Sequence, residues 1–189
     1  MNAYEVTWKR VVDIVLSACA LLLLSPIMAV VALAVILDDG APALFRQRRV
    51  GRNGTEFTIV KFRSMPINTG DIPRANANAR VTRVGRVIRR LNLDELPQLF
   101  CILNGDMSIV GPRPALPVQT ELLRLRIENG AARCRPGLTG LAQVNSYDGM
   151  PESEKAAWDG TYAENISVLT DLSITVRTFA YLLKPPPVY

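Results

Sequence analysis

The chain has 189 residues, enough for one compact domain with an appended element, and its formal charge of +5 is carried by 18 Arg and 4 Lys against 17 acidic residues. It contains no histidine, which excludes Ser-His-Asp and Cys-His nucleophilic sites and His-ligated zinc. Its three cysteines, Cys19, Cys101 and Cys134, lack the spacing of a disulfide framework or a thiolate metal site. Any catalysis therefore falls to carboxylates, arginine, lysine and a hard metal ion. The arginine excess suits anionic ligands or anionic lipid, and equally suits codon usage in a GC-rich genome.

Residues 14–37 carry no charge. As a straight helix this run is about 36 Å long, against a hydrocarbon core of about 30 Å. Ala32-Leu33-Ala34 resembles a signal cleavage site, but the run exceeds the roughly 7–15 apolar residues of a signal peptide. Ser25-Pro26 stands in its middle. The proline removes one amide donor and crowds the carbonyl of Leu22, and the Ser25 hydroxyl is placed to satisfy a freed carbonyl. Lys9 and Arg10 precede the run, while Arg46, Arg48, Arg49 and Arg52 follow it, so the positive-inside bias draws both flanks to the cytoplasm. The pattern predicts a re-entrant membrane helix broken at Ser25-Pro26, entering and leaving on one face. The other reading is a kinked span with residues 1–13 on the far side.

Residues 45–50 and 57–62 read as two short strands joined by Gly51-Arg52-Asn53-Gly54, where Asn-Gly is a strong hairpin signal. Residues 65–79 read as a polar loop. Val84, Val87, Ile88 and Leu91 then follow helical spacing among Arg83, Arg86, Arg89 and Arg90. A second helix places Leu96, Leu99, Phe100 and Leu103 on one stripe, and a turn rich in glycine and proline, residues 105–114, ends it. Further helices are predicted at 118–128, 152–165 and 171–183, before Pro185-Pro186-Pro187. Leu172, Phe179, Leu182 and Leu183 are expected to line the core, or else to rest on the bilayer surface. The fold class is α+β, mainly α: residues 1–40 form the membrane-inserted helix, and residues 41–189 form a helical cytosolic domain with a small β-hairpin and interfacial helices.

Asn92-Leu93-Asp94-Glu95-Leu96-Pro97-Gln98-Leu99 sets two carboxylates side by side. One reading is local: Asn92 opens a capping box with Glu95, or Asp94 itself caps, and a helix dipole stabilises the ionised acids. The surroundings ask for more. Lys61 and Arg63 end the hairpin, Arg89 and Arg90 lie just upstream, and Arg113 sits in the 105–114 turn. Neighbouring helical positions point about 100° apart, so the two carboxylates suit separate tasks rather than one shared proton. Carboxylates ringed by cations can hold Mg²⁺ and a diphosphate together, although each arginine taken singly also reads as a solvated surface charge.

The chain resembles the bacterial sugar transferases, the monotopic polyprenyl-phosphate phosphoglycosyl transferases, in their small form. The resemblance rests on Lys9-Arg10 with Asp13, Ser25-Pro26, Lys61-Phe62-Arg63-Ser64-Met65, Leu93-Asp94-Glu95-Leu96-Pro97-Gln98-Leu99 and the 105–114 block. Arg135-Pro136-Gly137-Leu138-Thr139-Gly140-Leu141-Ala142-Gln143-Val144 and Asp171-Leu172 extend it, so it covers nearly the whole chain in order. It implies transfer of a sugar phosphate from a UDP-sugar to membrane polyprenyl phosphate, releasing UMP. It implies Asp94 as the nucleophile, Glu95 as the Mg²⁺ ligand, Arg113 at a phosphate, and Lys61 and Arg89 in the active site. Arg63, Arg135 and Gln143, within the same motifs, are expected among the substrate-binding residues, with sugar contacts in the C-terminal part. The expected location is the bacterial inner membrane, with the catalytic domain on its cytoplasmic face and membrane lipid as a partner. Homo-oligomerisation, the sugar, the polyprenol length and the pathway are not read from these residues. The rival class is a basic, membrane-tethered binding module without catalysis. Its nucleic-acid version is weakened by the lack of stacking aromatics near the basic stretches.

Overall fold

The fold is a computed structural model that describes residues 4–66, 81–146 and 150–182. A π-helical turn, Tyr4–Trp8, leads into α1, Lys9–Asp39, a single helix of 31 residues with Pro26 in its interior. Proline at position 26 cannot donate to the carbonyl four residues back. The Ser25 hydroxyl donates to that Leu22 carbonyl instead, at 2.9 Å. The expected role of Ser25 is therefore seen, but the expected break is corrected: the helix runs on through Ser25-Pro26 without a loop.

One side of α1 packs on the rest of the chain. Ala20 and Leu21 meet the cluster of Ile59, Leu99, Cys101, Ile102 and Met107, and Val31 and Val35 meet Phe62 and Ile88. The spacing follows helical periodicity. Polar ties hold both ends. Arg10 donates to the carbonyls of Ile102 and Leu103 at 2.6 and 2.9 Å, and Asp13 Oδ1 accepts from the Ile109 amide at 2.9 Å. At the other end Asp38 Oδ2 accepts from the Val84 amide at 3.0 Å. The opposite side is bare: Leu22 and Leu23 are 80% and 77% exposed, too much apolar surface to leave in water without a cover.

The predicted hairpin forms. β1, Leu44–Val50, pairs antiparallel with β2, Glu56–Phe62, so that Phe45 faces Lys61. Asn53 and Gly54 supply the positive φ of its turn, 54° and 80°. α2, Arg83–Arg90, starts where Thr82 Oγ1 accepts from the Gly85 amide. α3, Gln98–Asn104, ends at Gly105 with φ 96°.

The 105–114 segment is more than a turn. It contains β3, Ser108–Val110, which pairs in parallel with β4, Gly137–Thr139, across a connection holding α4, Thr120–Glu128. Three-residue strands are too short to carry a period-2 pattern, so this second sheet is absent from the expectation. Where it joins the next turn, backbone meets backbone: a Cβ on Gly137 would stand 2.1 Å from the Gly111 amide nitrogen. Only glycine fits there, and the contact fixes the start of Gly111-Pro112-Arg113.

α5, Leu141–Val144, a short helix outside the expectation, is followed by α6, Glu152–Glu164, and α7, Val168–Leu182, both close to their expected positions. The expected core role of the α7 stripe is corrected. Leu172 and Phe179 are 57% and 67% exposed, in line with exposed Leu169 and Val176, whereas Ile174 and Asp171 face inward. Helical spacing reports that a stripe exists, not what covers it. The side chains of Leu182 and Leu183, residues 67–80 and the terminal prolines lie outside the described residues.

Candidate active site

Asp94 and Glu95 lie on a 3-10 turn, Leu93–Glu95, not at a helix start. Asn92 enters it in the left-handed region, φ 53°, and makes no side-chain cap; α3 begins only after Pro97. Both capping readings are thereby corrected. Asn tolerates this conformation, which turns the chain sharply out of α2 and presents two consecutive carboxylates beside β2.

Glu95 is the hub. Its Oε1 lies 2.6 Å from Lys61 Nζ and 3.0 Å from Arg113 Nη2. Lys61 arrives from the end of β2 and Arg113 from the turn after β3, so three separate segments converge on one oxygen. Burial pushes the Glu95 pKa up, but Arg113 and Lys61 outweigh it and hold the carboxyl at about 2. Burial lowers the pKa of Lys61, against the pull of Glu95. Asp94 differs from its neighbour: it forms no ion pair among the described residues, and burial, then Glu95, raise its pKa, against Lys61 and Arg89. The expectation that a helix start would favour its ionised form is corrected on this point. Two adjacent carboxylates are thus driven apart in acidity, one clamped by two cations and one in no ion pair among the described residues.

Arg89 donates from Nε to Ser64 Oγ at 2.8 Å, which steadies it near Asp94. The other expected contacts sit elsewhere. Arg63, only 7% exposed, donates from Nη2 to the carbonyls of Asp39 and Gly40 at the end of α1. Arg135 donates from Nε to the Gly105 carbonyl, at the opposite end of α3 from the carboxylates, and Gln143 Nε2 donates to the Leu138 carbonyl. The C-terminal part is likewise spent internally, with Asp159 bound to buried Arg126 at 2.6 Å and Tyr162 hydrogen-bonded to Asp171.

The bacterial sugar transferase family model matches residues 4–185. The chain belongs to this family. It is 42% identical over 191 residues to a UDP-glucose:undecaprenyl-phosphate glucose-1-phosphate transferase of Caulobacter vibrioides, covering 96% of this chain and 72% of the relative. It is 38% identical over 192 residues to the exopolysaccharide production protein ExoY of Rhizobium meliloti, covering 90% and 83%. A UDP-glucose:undecaprenyl-phosphate glucose-1-phosphate transferase of Escherichia coli is 41% identical over 180 residues; the match covers 90% of this chain but 39% of that protein.

This sugar transferase offers a limited metal site. No group of three or more His, Cys, Asp or Glu that could hold a metal ion occurs among the described residues. Magnesium nevertheless needs only one or two carboxylates when water and substrate phosphates complete its oxygen shell. Glu95 fits that demand: it is anionic at any working pH, and its ion pairs to Lys61 and Arg113 both fall on Oε1. Three further residues have structural roles that the sequence reading did not assign. Ser64 positions Arg89, Asp13 ties α1 to β3, and Lys9 pairs with Asp171 of α7 at 2.6 Å. A charged residue beside a long apolar run is the signal for the last two, since burial there requires a partner.

Proposed function

We propose that the chain transfers a sugar 1-phosphate from a UDP-sugar to undecaprenyl phosphate, with UDP-glucose the first donor to test. The observation that carries this reading is the contrast between Glu95, clamped by Lys61 and Arg113, and Asp94 beside it, in no ion pair among the described residues. A carboxylate nucleophile divides an encounter between two anions into two displacements. In the first, Asp94 attacks the sugar-linked phosphorus, its oxygen forms the new P–O bond, and the bond to UMP breaks. UMP departs as an anion whose last pKa is about 6, so it needs no proton. In the second, a phosphate oxygen of the lipid attacks the same phosphorus and expels the Asp94 carboxylate. Lys61, Arg89 and Arg113 offset charge on the transferring group throughout. Glu95 would hold Mg²⁺, which when bound would neutralise part of the diphosphate charge.

The test needs no lipid. Incubation with UDP-glucose alone should release one UMP per chain and add the mass of a hexose phosphate. UMP release only when lipid is present, with no adduct, would overturn the two-step scheme. The pH profile of this half-reaction follows from the site. Asp94 must be ionised, so the acid limb should lie above the ordinary aspartate value of 3.8. Lys61 must be charged, so the basic limb should lie below the ordinary 10.5.

The re-entrant topology is part of the same proposal. A helix of this length measures about 46 Å if straight, so a spanning α1 would leave one end some 30 Å from its domain. Both ends instead bond to the rest of the chain, Arg10 to α3 and Asp13 to β3 at one end and Asp38 to α2 at the other. This supports a helix that dips into the cytoplasmic leaflet and keeps the carboxylates at headgroup depth. With the native cysteines replaced, Thr7→Cys and Ala41→Cys should both react with an impermeant maleimide from the cytoplasmic side only. Labelling of position 7 from the periplasmic side would favour the span.

A further inference from the structure

The back of the hairpin carries a second anionic seat. Residues directly opposite in an antiparallel pair share a face, so Leu44, Arg46 and Arg48 lie with Phe62, Val60 and Thr58. Lys61 belongs to the other face, with Phe45, so this side is turned away from the catalytic carboxylates. Arg46, Gln47, Arg48, Thr58 and Val60 line an open groove of about 460 Å³. Arg46 is exposed and forms no ion pair among the described residues, and Arg48 reaches only Glu56, at 3.5 Å in an exposed pair that contributes little.

What borders the groove indicates its occupant. Phe62, on the same face, packs against Val31 and Val35 of α1, and Leu44 and Phe45 are exposed at the same end of β1. Moving along this face of β1, the surface passes from exposed Leu44, beside the membrane helix, to two guanidinium groups with a hydroxyl opposite them. That order matches a phospholipid, acyl chain first and headgroup phosphate next. A nucleic acid would want a stacking ring on this face, and Phe62 is its one aromatic and is buried.

We propose that this face binds the headgroup phosphate of an anionic phospholipid through Arg46 and Arg48, with Leu44 towards the acyl chains. The proposal rests on the membrane-inserted reading of α1. Bound there, the lipid would fix how the hairpin, and so Lys61, is tilted against the bilayer.

Co-flotation of the full chain with vesicles tests this. Wild type should prefer vesicles with about 30% phosphatidylglycerol over pure phosphatidylcholine, and each arginine should contribute about fivefold at low salt. Arg46→Gln/Arg48→Gln should lose most of that preference yet release UMP from UDP-glucose at the wild-type rate. A matched loss of two charges on other elements, Arg124→Gln/Lys155→Gln, should keep it. Equal binding of wild type to both vesicles, retention of the preference in the hairpin variant, or an equal loss in the matched variant would each overturn the proposal. Failure to float with either vesicle would instead overturn the membrane reading beneath it.

Discussion

Asp94→Asn should reduce UMP release from UDP-glucose by about 10⁴-fold or more and leave no hexose-phosphate mass on the chain, because an amide cannot replace a carboxylate nucleophile. The fold should not suffer. Asp94 forms no ion pair among the described residues, and burial beside Glu95 opposes its charge. A neutral side chain of the same shape relieves that repulsion, so the variant should melt no lower than wild type. This pairing of outcomes separates a nucleophile from a structural acid, whose loss would lower both quantities. A variant that still releases UMP at an ordinary rate removes the assignment.

Glu95→Gln should behave differently, losing activity and stability together. The substitution leaves Lys61 and Arg113 facing each other across a neutral amide where both now contact one carboxylate oxygen. Loss of one partner from a buried charge cluster costs about 3 kcal/mol, reduced to about 2 by the partial exposure of Arg113. Activity should fall about 10²- to 10³-fold, since the cations lose their alignment on the diphosphate and the metal loses its ligand. Adding Lys61→Met should recover stability, by removing the unpaired cation, but not activity. Recovery of both would mean that the cluster serves the fold alone. The pH dependence has a definite sign. Glu95 titrates at about 2 in the folded chain against an ordinary 4.5, so its ion pairs contribute fully above 4.5 and are lost as pH falls towards 2. Glu95→Gln should flatten the acid limb of stability over that window.

The exposed α7 stripe shows where sequence reasoning ran short. Leu169, Leu172, Val176 and Phe179 repeat at helical spacing, as a core-facing stripe would. Ile174 and Asp171 take the buried side because Tyr162 and Lys9 reach Asp171 from α6 and α1. Nothing within α7 encodes the arrival of those partners. Arg63 is a similar case. Its place two residues after Lys61 suggested a shared task, but the chain turns back over the end of α1 and commits its guanidinium to the carbonyls there.

The sequence by itself determined the elements whose signals are local. These are the long apolar helix with a serine poised for the carbonyl its proline abandons, the Asn-Gly hairpin, the arginine-studded α2 and the neighbouring acids. Each depends on residues within a turn or two, where propensity and periodicity act directly. Only the tertiary structure decided which of the two acids is held by paired cations. That choice arises from Lys61 and Arg113, 34 and 18 residues away from Glu95, converging on a single oxygen. Charge–charge energy depends on distance in space and on the water excluded between the groups, and neither quantity is written along the chain.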